Sequence, residues 1–479
     1  MRINPSMTEL ADLSAVALLA GYRDRSLNPV EVTRAVLDRI AARDGTLNAM
    51  WLVDGDGALA AAGRSEARWR AGEPTGALDG VPITIKENIA TAGTPMPLGT
   101  AATELVPMAE DGPAAARVRE AGAVIIGQTT MPDYGMLSSG LSSFHRLARN
   151  PWNTERTPGG SSAGAGAAAA AGYGPLHLGT DIGGSVRLPA GWCGVVGLKP
   201  SFGRVPVSPP YYGRAVGPMT RNVADSALLM GVISQPDWRD HMSLPPAEIT
   251  WNALDIDFSG LRIGLSMNTG IGLPVDPAVR DAVTAAARAF EAAGAIVEPV
   301  APFLTAEMMD GLDRFWRMRS WADFSQLPPE RQAKVLPFIR DWILGGSGLS
   351  GLEVYRGLAR MPEMSWAAVR ASQPHDYVLS PTAPITAYRA DWPCPTNDVT
   401  RPLEHVGFTV AANMSGQPAV SVNCGHADGL PIGLQVTGRR FDDRGVLRMA
   451  RAWERMRPAQ QPWPVVRSSV PRNPVGGAA

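Results

Sequence analysis

Residues 157–200 read TPGGSSAGAGAAAAAGYGPLHLGTDIGGSVRLPAGWCGVVGLKP, and the fold is decided by how this stretch is read. It holds two Gly-Gly-Ser units, Gly159-Gly160-Ser161-Ser162 and Gly183-Gly184-Ser185, separated by a run of Ala and Gly. Glycine permits backbone bends and close approaches that a side chain forbids. Each serine hydroxyl therefore sits on backbone free to turn N–H groups toward a ligand. A flexible Gly/Ser linker is the bland alternative. Against it, residues 163–171 are dominated by alanine, the best helix former. Asp181, Arg187, Trp192 and Cys193 interrupt the glycines, and Val195-Val196-Gly197-Leu198 has the character of a buried strand. A linker needs none of these.

Outward from this stretch, short apolar runs alternate with helical patterns. Toward the N-terminus, residues 7–43 carry two helices, the second opened by Asn28-Pro29, a capping residue with proline at the first helical position. An Ala-rich helix spans 56–72, and Leu78-Asp79-Gly80 turns into the strand Val81-Pro82-Ile83-Thr84-Ile85-Lys86. A helix over 113–121 precedes the strand 123–127. Downstream, strand 261–265, helix 277–293 and strand 295–298 form a βαβ unit, and further strands are predicted at 377–380 and 432–436 before a closing helix over 442–457. The pattern predicts an α/β fold: one large domain over residues 1–465, its central twisted mixed β-sheet covered by helices on both faces. Residues 78–225 form its core motif region, 235–258 a long surface connection, and 466–479 a flexible tail. Residues 301–370 read as helical and hold Phe315, Trp316, Trp321, Phe324, Phe338, Trp342 and Trp366, either plain core or the wall of an apolar pocket.

Composition narrows the partners. Of 479 residues, 44 are Lys or Arg and 45 Asp or Glu, a net charge of −1 with no long basic run, which argues against nucleic acid or an anionic membrane. The 45% apolar content supports a large core. The apolar segment 15–20 follows Glu9 and Asp12 and reads as an amphipathic helix, not a leader. No apolar run reaches a membrane-spanning length of about 18 residues. Cys193, Cys394 and Cys424 cannot all pair and lack CxxC spacing, which predicts a reducing, cytoplasmic setting and no zinc site.

Asp181-Ile182-Gly183-Gly184-Ser185 can direct several backbone N–H groups at one point, as a developing oxyanion requires. A serine nucleophile also needs a base. The six histidines (His145, His177, His241, His375, His405, His426) show no triad context, and Arg187 breaks the G-x-S-x-G elbow, although His177 stays open. A lysine serves if burial keeps its amine neutral. Lys86, ending an apolar strand, fits that condition or else snorkels to solvent; Lys199 is its rival. Gly164-x-Gly166 lacks the third glycine of a dinucleotide fingerprint, no phosphate-binding loop occurs, and no metal-ligand spacing is present, so no cofactor and no metal are expected.

The GGSS, GTDIGGSVRLPA and CGVVGLKP elements closely resemble the defining motif of the amidase signature family. So do Gly80-Val81-Pro82-Ile83-Thr84-Ile85-Lys86, Gly127-Gln128-Thr129-Thr130-Met131-Pro132-Asp133, Asn150-Pro151-Trp152-Asn153, Asn413, Gly416-Gln417-Pro418-Ala419 and 429–435. Ser161 lies 75 residues after Lys86 and Ser185 lies 24 after Ser161, the family's usual spacing. The likeness runs from about residue 8 to 457. It implies a Ser–cisSer–Lys triad: Ser185 as nucleophile, and Ser161, after a cis peptide from Gly160, bridging to Lys86. It further implies oxyanion N–H groups from Ile182, Gly183 and Gly184 with Ser185 itself, and supporting roles for Ser162, Asp181 and Arg187. Glu87 and Asp133 depart from the family's common Asp and Glu. The implied activity is hydrolysis of carboxylic amides through an acyl-enzyme, with esters and carbamates as related substrates. The transamidating subunit of a tRNA-dependent amidotransferase is the alternative, and a catalytically dead binding protein is disfavoured because all three triad positions are filled. The aromatic content favours a bulky apolar or aryl amide as small-molecule partner, and a homodimer is the assembly to look for.

Overall fold

In the computed structural model, residues 7–466 are described, so most of the tail expected to be loose, 467–479, lies outside them. Eleven strands build one mixed sheet: β1 (Met50–Val53), β2 (Pro82–Lys86), β3 (Val124–Thr129), β4 (Leu176–Asp181), β5 (Val196–Lys199), β6 (Ala215–Thr220), β7 (Arg262–Leu265), β8 (Ile296–Pro299), β9 (Tyr377–Pro381), β10 (Ala419–Ala427) and β11 (Leu430–Gly438). Their spatial order is β1-β3-β2-β4-β6-β5-β10-β11-β9-β7-β8. Parallel pairing joins β3, β2 and β4 at one end and β9, β7 and β8 at the other. Antiparallel pairs β4–β6, β6–β5, β5–β10, β10–β11 and β11–β9 fill the centre. Helices cover both faces, and the sheet belongs to a single α/β domain, as the helix–strand alternation predicted.

Local signals in the sequence are used as expected. Asn28 Oδ1 accepts from Val30 N–H at 2.7 Å and caps the helix Pro29–Leu47, which begins with proline. The helix Pro277–Ala292 crosses over between parallel β7 and β8, burying Val279, Val283, Ala287 and Phe290. The run that a linker would leave in water is the helix Ala163–Ala171, with every residue buried. Its composition follows from packing: a Cβ on Gly164 would stand 2.1 Å from the carbonyl oxygen of Ala49. Only the smallest residues let this helix approach the sheet so closely.

Residues 301–370 are largely helical, with helices Ala306–Phe324, Pro337–Leu344 and Gly351–Ser372. Trp316, Phe324 and Trp342 are buried in a second apolar cluster with Leu188 and Trp192 of the central helix Arg187–Cys193. Phe315, Trp321 and Phe338 are half-buried against the same cluster, so six of the seven aromatics belong to the core. Trp366 is the exception at 69% exposed, and Phe324 alone of the seven lines the cavity described below.

Candidate active site

Lys86 ends β2, fully buried, where parallel β3 and β4 flank it. Its Nζ lies 2.8 Å from Ser161 Oγ and 2.9 Å from Thr180 Oγ1. Thr180 Oγ1 in turn accepts from Asn88 Nδ2 at 3.1 Å. Burial, with the like charge of Arg214 second, pushes the Lys86 pKa down to about 7, against the opposing pull of Glu87 and Asp181. The amine can therefore be neutral near physiological pH, the state in which it accepts a proton. Snorkelling is ruled out by its contacts.

Ser161 follows a cis peptide bond from Gly160, and it lines one cavity of about 580 Å³ together with Ser185, Thr180 and Ile182. The two Gly-Gly-Ser units, 24 residues apart in sequence, thus open on the same space. Ser162 ties them together. Its N–H donates to Ser185 O at 3.1 Å, its Oγ donates to Thr180 O at 3.1 Å, and Thr180 N–H returns a bond to that Oγ at 3.2 Å.

Asp181 and Arg187 form the frame of the Ser185 loop. The buried Asp181 carboxylate accepts from Gly184 N–H at 2.8 Å, Val186 N–H at 3.0 Å and Arg187 Nη2 at 2.9 Å. Arg187, also fully buried, reaches on to Thr409 O, Gln435 Oε1 and Asn413 Oδ1 and so fastens the loop to the C-terminal segment. Burial raises the Asp181 pKa, but the Arg187 charge and these bonds outweigh it and hold the carboxyl well below its usual range. Replacing Arg187 with Met leaves that carboxylate buried without its counter-charge. A loss of about 3–5 kcal/mol in unfolding free energy is expected, read by urea denaturation, with Asp181→Asn restoring part of it. An unchanged midpoint would show that the pair does not hold the loop.

One expectation needs correction. Gly184 adopts φ +131°, where a Cβ would fall 2.5 Å from Thr409 Oγ1, but its N–H is spent on Asp181 and is not free for an oxyanion. The carboxylate that shapes the loop takes this donor. Ile182, Gly183 and Ser185 keep backbone N–H groups with no acceptor among the described residues.

The rival bases drop out on geometry. Lys199 is buried with its pKa also lowered by burial to about 7, but its Nζ donates to Pro200 O at 2.7 Å and contacts neither serine. His177 lies inside β4, its Nε2 donating to Gly174 O at 3.1 Å and its Nδ1 accepting from Thr84 at 2.8 Å. Burial drives its pKa down to about 3, so it is a neutral core residue. The two departures from the common motif make their own contacts. Glu87 meets His145 Nε2 at 2.8 Å. Asp133 accepts from Ser143 N–H and Oγ, each at 2.7 Å, and from Leu336 N–H at 3.0 Å.

The cavity walls include Met131, Tyr134 and Met136, then Ser208, Pro209, Pro210, Tyr211 and Arg214, then Arg319, Asp323, Phe324, Leu327 and Arg331 from the helical region 301–370 expected as core or pocket wall. A further part, Met96, Leu98, Ala102 and Thr103, carried no sequence signal, and neither did Asn88; Thr180 lies in the quoted motif, but its contact with the lysine was not expected. Trp316 does not line this cavity, but its ring edge stands 3.4 Å from where a Cβ on Gly183 would be.

The sequence profile of the Amidase family matches residues 31–447. The glutamyl-tRNA(Gln) amidotransferase A subunit of Roseiflexus castenholzii is 34% identical over 482 residues, covering 94% of this chain and 97% of its own. A bacterial aryl acylamidase of the amidase signature family superposes with a TM-score of 0.86 at 30% identity, covering 93% of this chain and 96% of its own. The glutamyl-tRNA(Gln) amidotransferase A subunit of Thermotoga maritima gives a TM-score of 0.76 at 27% identity, with 96% and 99% covered. Motif, sheet and these likenesses agree: the chain belongs to the amidase signature family.

Proposed function

We propose that the protein is an amide hydrolase that forms an acyl-enzyme on Ser185. The observation that carries this reading is the fully buried Lys86 amine, with its pKa near 7, 2.8 Å from Ser161 Oγ beneath the cavity that Ser185 also lines. Ser185 Oγ attacks the amide carbonyl carbon as its proton passes to Ser161 Oγ, and the Ser161 proton passes to neutral Lys86 Nζ. Backbone N–H groups of Ile182, Gly183 and Ser185 receive the oxyanion. As the tetrahedral species collapses, the C–N bond breaks and the same relay, reversed, delivers a proton to the leaving amine. Water then attacks the acyl-enzyme by the same path, releasing the carboxylic acid and restoring Ser185. Met, Leu, Tyr and Phe side chains around the cavity suit an apolar or aryl portion on the substrate.

Purified protein is expected to hydrolyse a simple anilide without added metal or nucleotide, followed by aniline release. The second reading, a transamidating subunit, is favoured by the 34% identity to the Roseiflexus amidotransferase protein. On that reading turnover would require ATP, an aminoacylated tRNA and companion subunits, and isolated protein would leave the anilide intact. The TM-score of 0.86 against the aryl acylamidase, compared with 0.76 for the Thermotoga protein, supports the first.

A further inference from the structure

The cavity wall holds a positive charge that is paired with no acid among the described residues. Arg214, just before β6, is half-buried there, and its guanidinium donates only to backbone carbonyls: Nη2 to Asn88 O at 3.2 Å and Nη1 to Pro209 O at 3.4 Å. Arginines buried elsewhere carry a carboxylate: Arg39 has Asp12, Arg187 has Asp181 and Arg204 has Asp443. Arg214 has Arg319 instead. Burial, with that like charge second, lowers its pKa to about 10. Arg319 stands exposed at the rim, stacked 4.3 Å from the Tyr211 ring centroid, and Tyr211 lines the same cavity. Asp323, also at the rim, is exposed, and among the described residues no acid forms an ion pair with Arg214 or Arg319.

A desolvated guanidinium without a counter-ion is costly, and its planar N–H fork matches a carboxylate. The site of the imbalance is informative. Arg214 contacts Asn88, Asn88 contacts Thr180, and Thr180 contacts Lys86, so the unpaired charge adjoins the proposed proton relay. We propose that the substrate amide carries a carboxylate that seats on Arg214, with Arg319 guiding it at the entrance, and that this charge selects among amides otherwise alike. The proposal rests on the amide-hydrolase reading for its chemistry, but the anion site stands on geometry alone.

The test uses matched pairs: 4-acetamidobenzoate against acetanilide, which puts the charge on the amine side, and succinanilate against pentananilide, which puts it on the acyl side. Binding is measured by calorimetry on the Ser185→Ala protein and hydrolysis on the native protein. In at least one pair the anionic member is expected to bind roughly 10- to 100-fold tighter, and Arg214→Gln should collapse that ratio. Equal binding within both pairs, or a ratio that survives Arg214→Gln, overturns the proposal. A binding ratio that is present while neither member is hydrolysed would overturn the hydrolase reading and leave the anion site standing. Where hydrolysis is seen, a second readout separates this role from a structural one. A carboxylate on Arg214 offsets the charge that lowers Lys86, so the acid limb of kcat should sit at higher pH for the anionic substrate.

Discussion

Ser185→Ala lowers kcat for anilide hydrolysis on the order of 10⁵–10⁶-fold while the protein remains folded. The chemical part of this expectation follows from covalent catalysis: without Oγ no acyl-enzyme forms, and the oxyanion donors act only on a much slower attack by water. The structural part follows from how the loop is held. Ser185 contributes its carbonyl to Ser162 N–H, and Asp181 grips Gly184, Val186 and Arg187 on either side. The Ser185 hydroxyl itself has no hydrogen-bond partner among the described residues, so removing it strands no buried group. Thermal unfolding should move by no more than about 0.5 kcal/mol equivalent. Substrate binding persists, and mass spectrometry of quenched reactions should show an acyl adduct on the native chain and none on the variant. Retained activity in the variant would move the nucleophile elsewhere, with Ser161 the next hydroxyl to test.

The parts of this site readable from sequence are those whose chemistry is encoded in adjacent residues. A lysine closing the apolar run Pro82–Lys86 is anomalous on its own, and Gly-Gly-Ser beside Asp181 and Arg187 is anomalous together; both lie in the cavity region. Strands that depend on distant neighbours were not readable. β4, Leu176–Asp181, contains a histidine and a glycine, and β6, Ala215–Thr220, contains Gly217 and Pro218, yet both lie at the centre of the sheet with every residue buried. Proline and glycine argue against a central strand, and here tertiary pairing overrides that preference. The same limit explains the error at Gly184. A run of glycine N–H groups is visible in the chain, but which of them Asp181 takes depends on the loop closing around it. Arg214 is not legible in the sequence because an arginine there is ordinary; only the lack of an acid paired with it among the described residues makes it informative.

Lys86→Met is expected to lower kcat/KM on the order of 10²–10⁴-fold, the range for losing a general base, and to make the protein no less stable. The native enzyme should show an acid limb in kcat/KM with a midpoint near pH 7, because below it the amine is protonated and cannot receive the proton passed from Ser185 through Ser161. The variant should lack that limb, and a native profile flat from pH 8 to pH 5 would sink the neutral-lysine mechanism. Stability moves in the opposite direction from activity. In the unfolded chain this amine titrates near 10.5, in the fold near 7. Between those values the unfolded chain binds a proton that the fold does not, so the burial penalty is absent above pH 10.5, grows as pH falls, and is full below 7. A shift of this size corresponds to roughly 5 kcal/mol. Methionine removes the penalty but strands the Ser161 hydroxyl, which the lysine had bonded, at an offset of about 1–3 kcal/mol. The variant should therefore unfold at a higher or equal urea midpoint at pH 7, with its advantage shrinking as the pH is raised toward 10.5. A marked loss of stability at pH 7 would mean that Lys86 is held as a charged partner of Glu87 or Asp181, and the relay would then need a different acceptor. Activity and stability moving apart in one substitution is the signature that separates a buried proton acceptor from a structural ion pair.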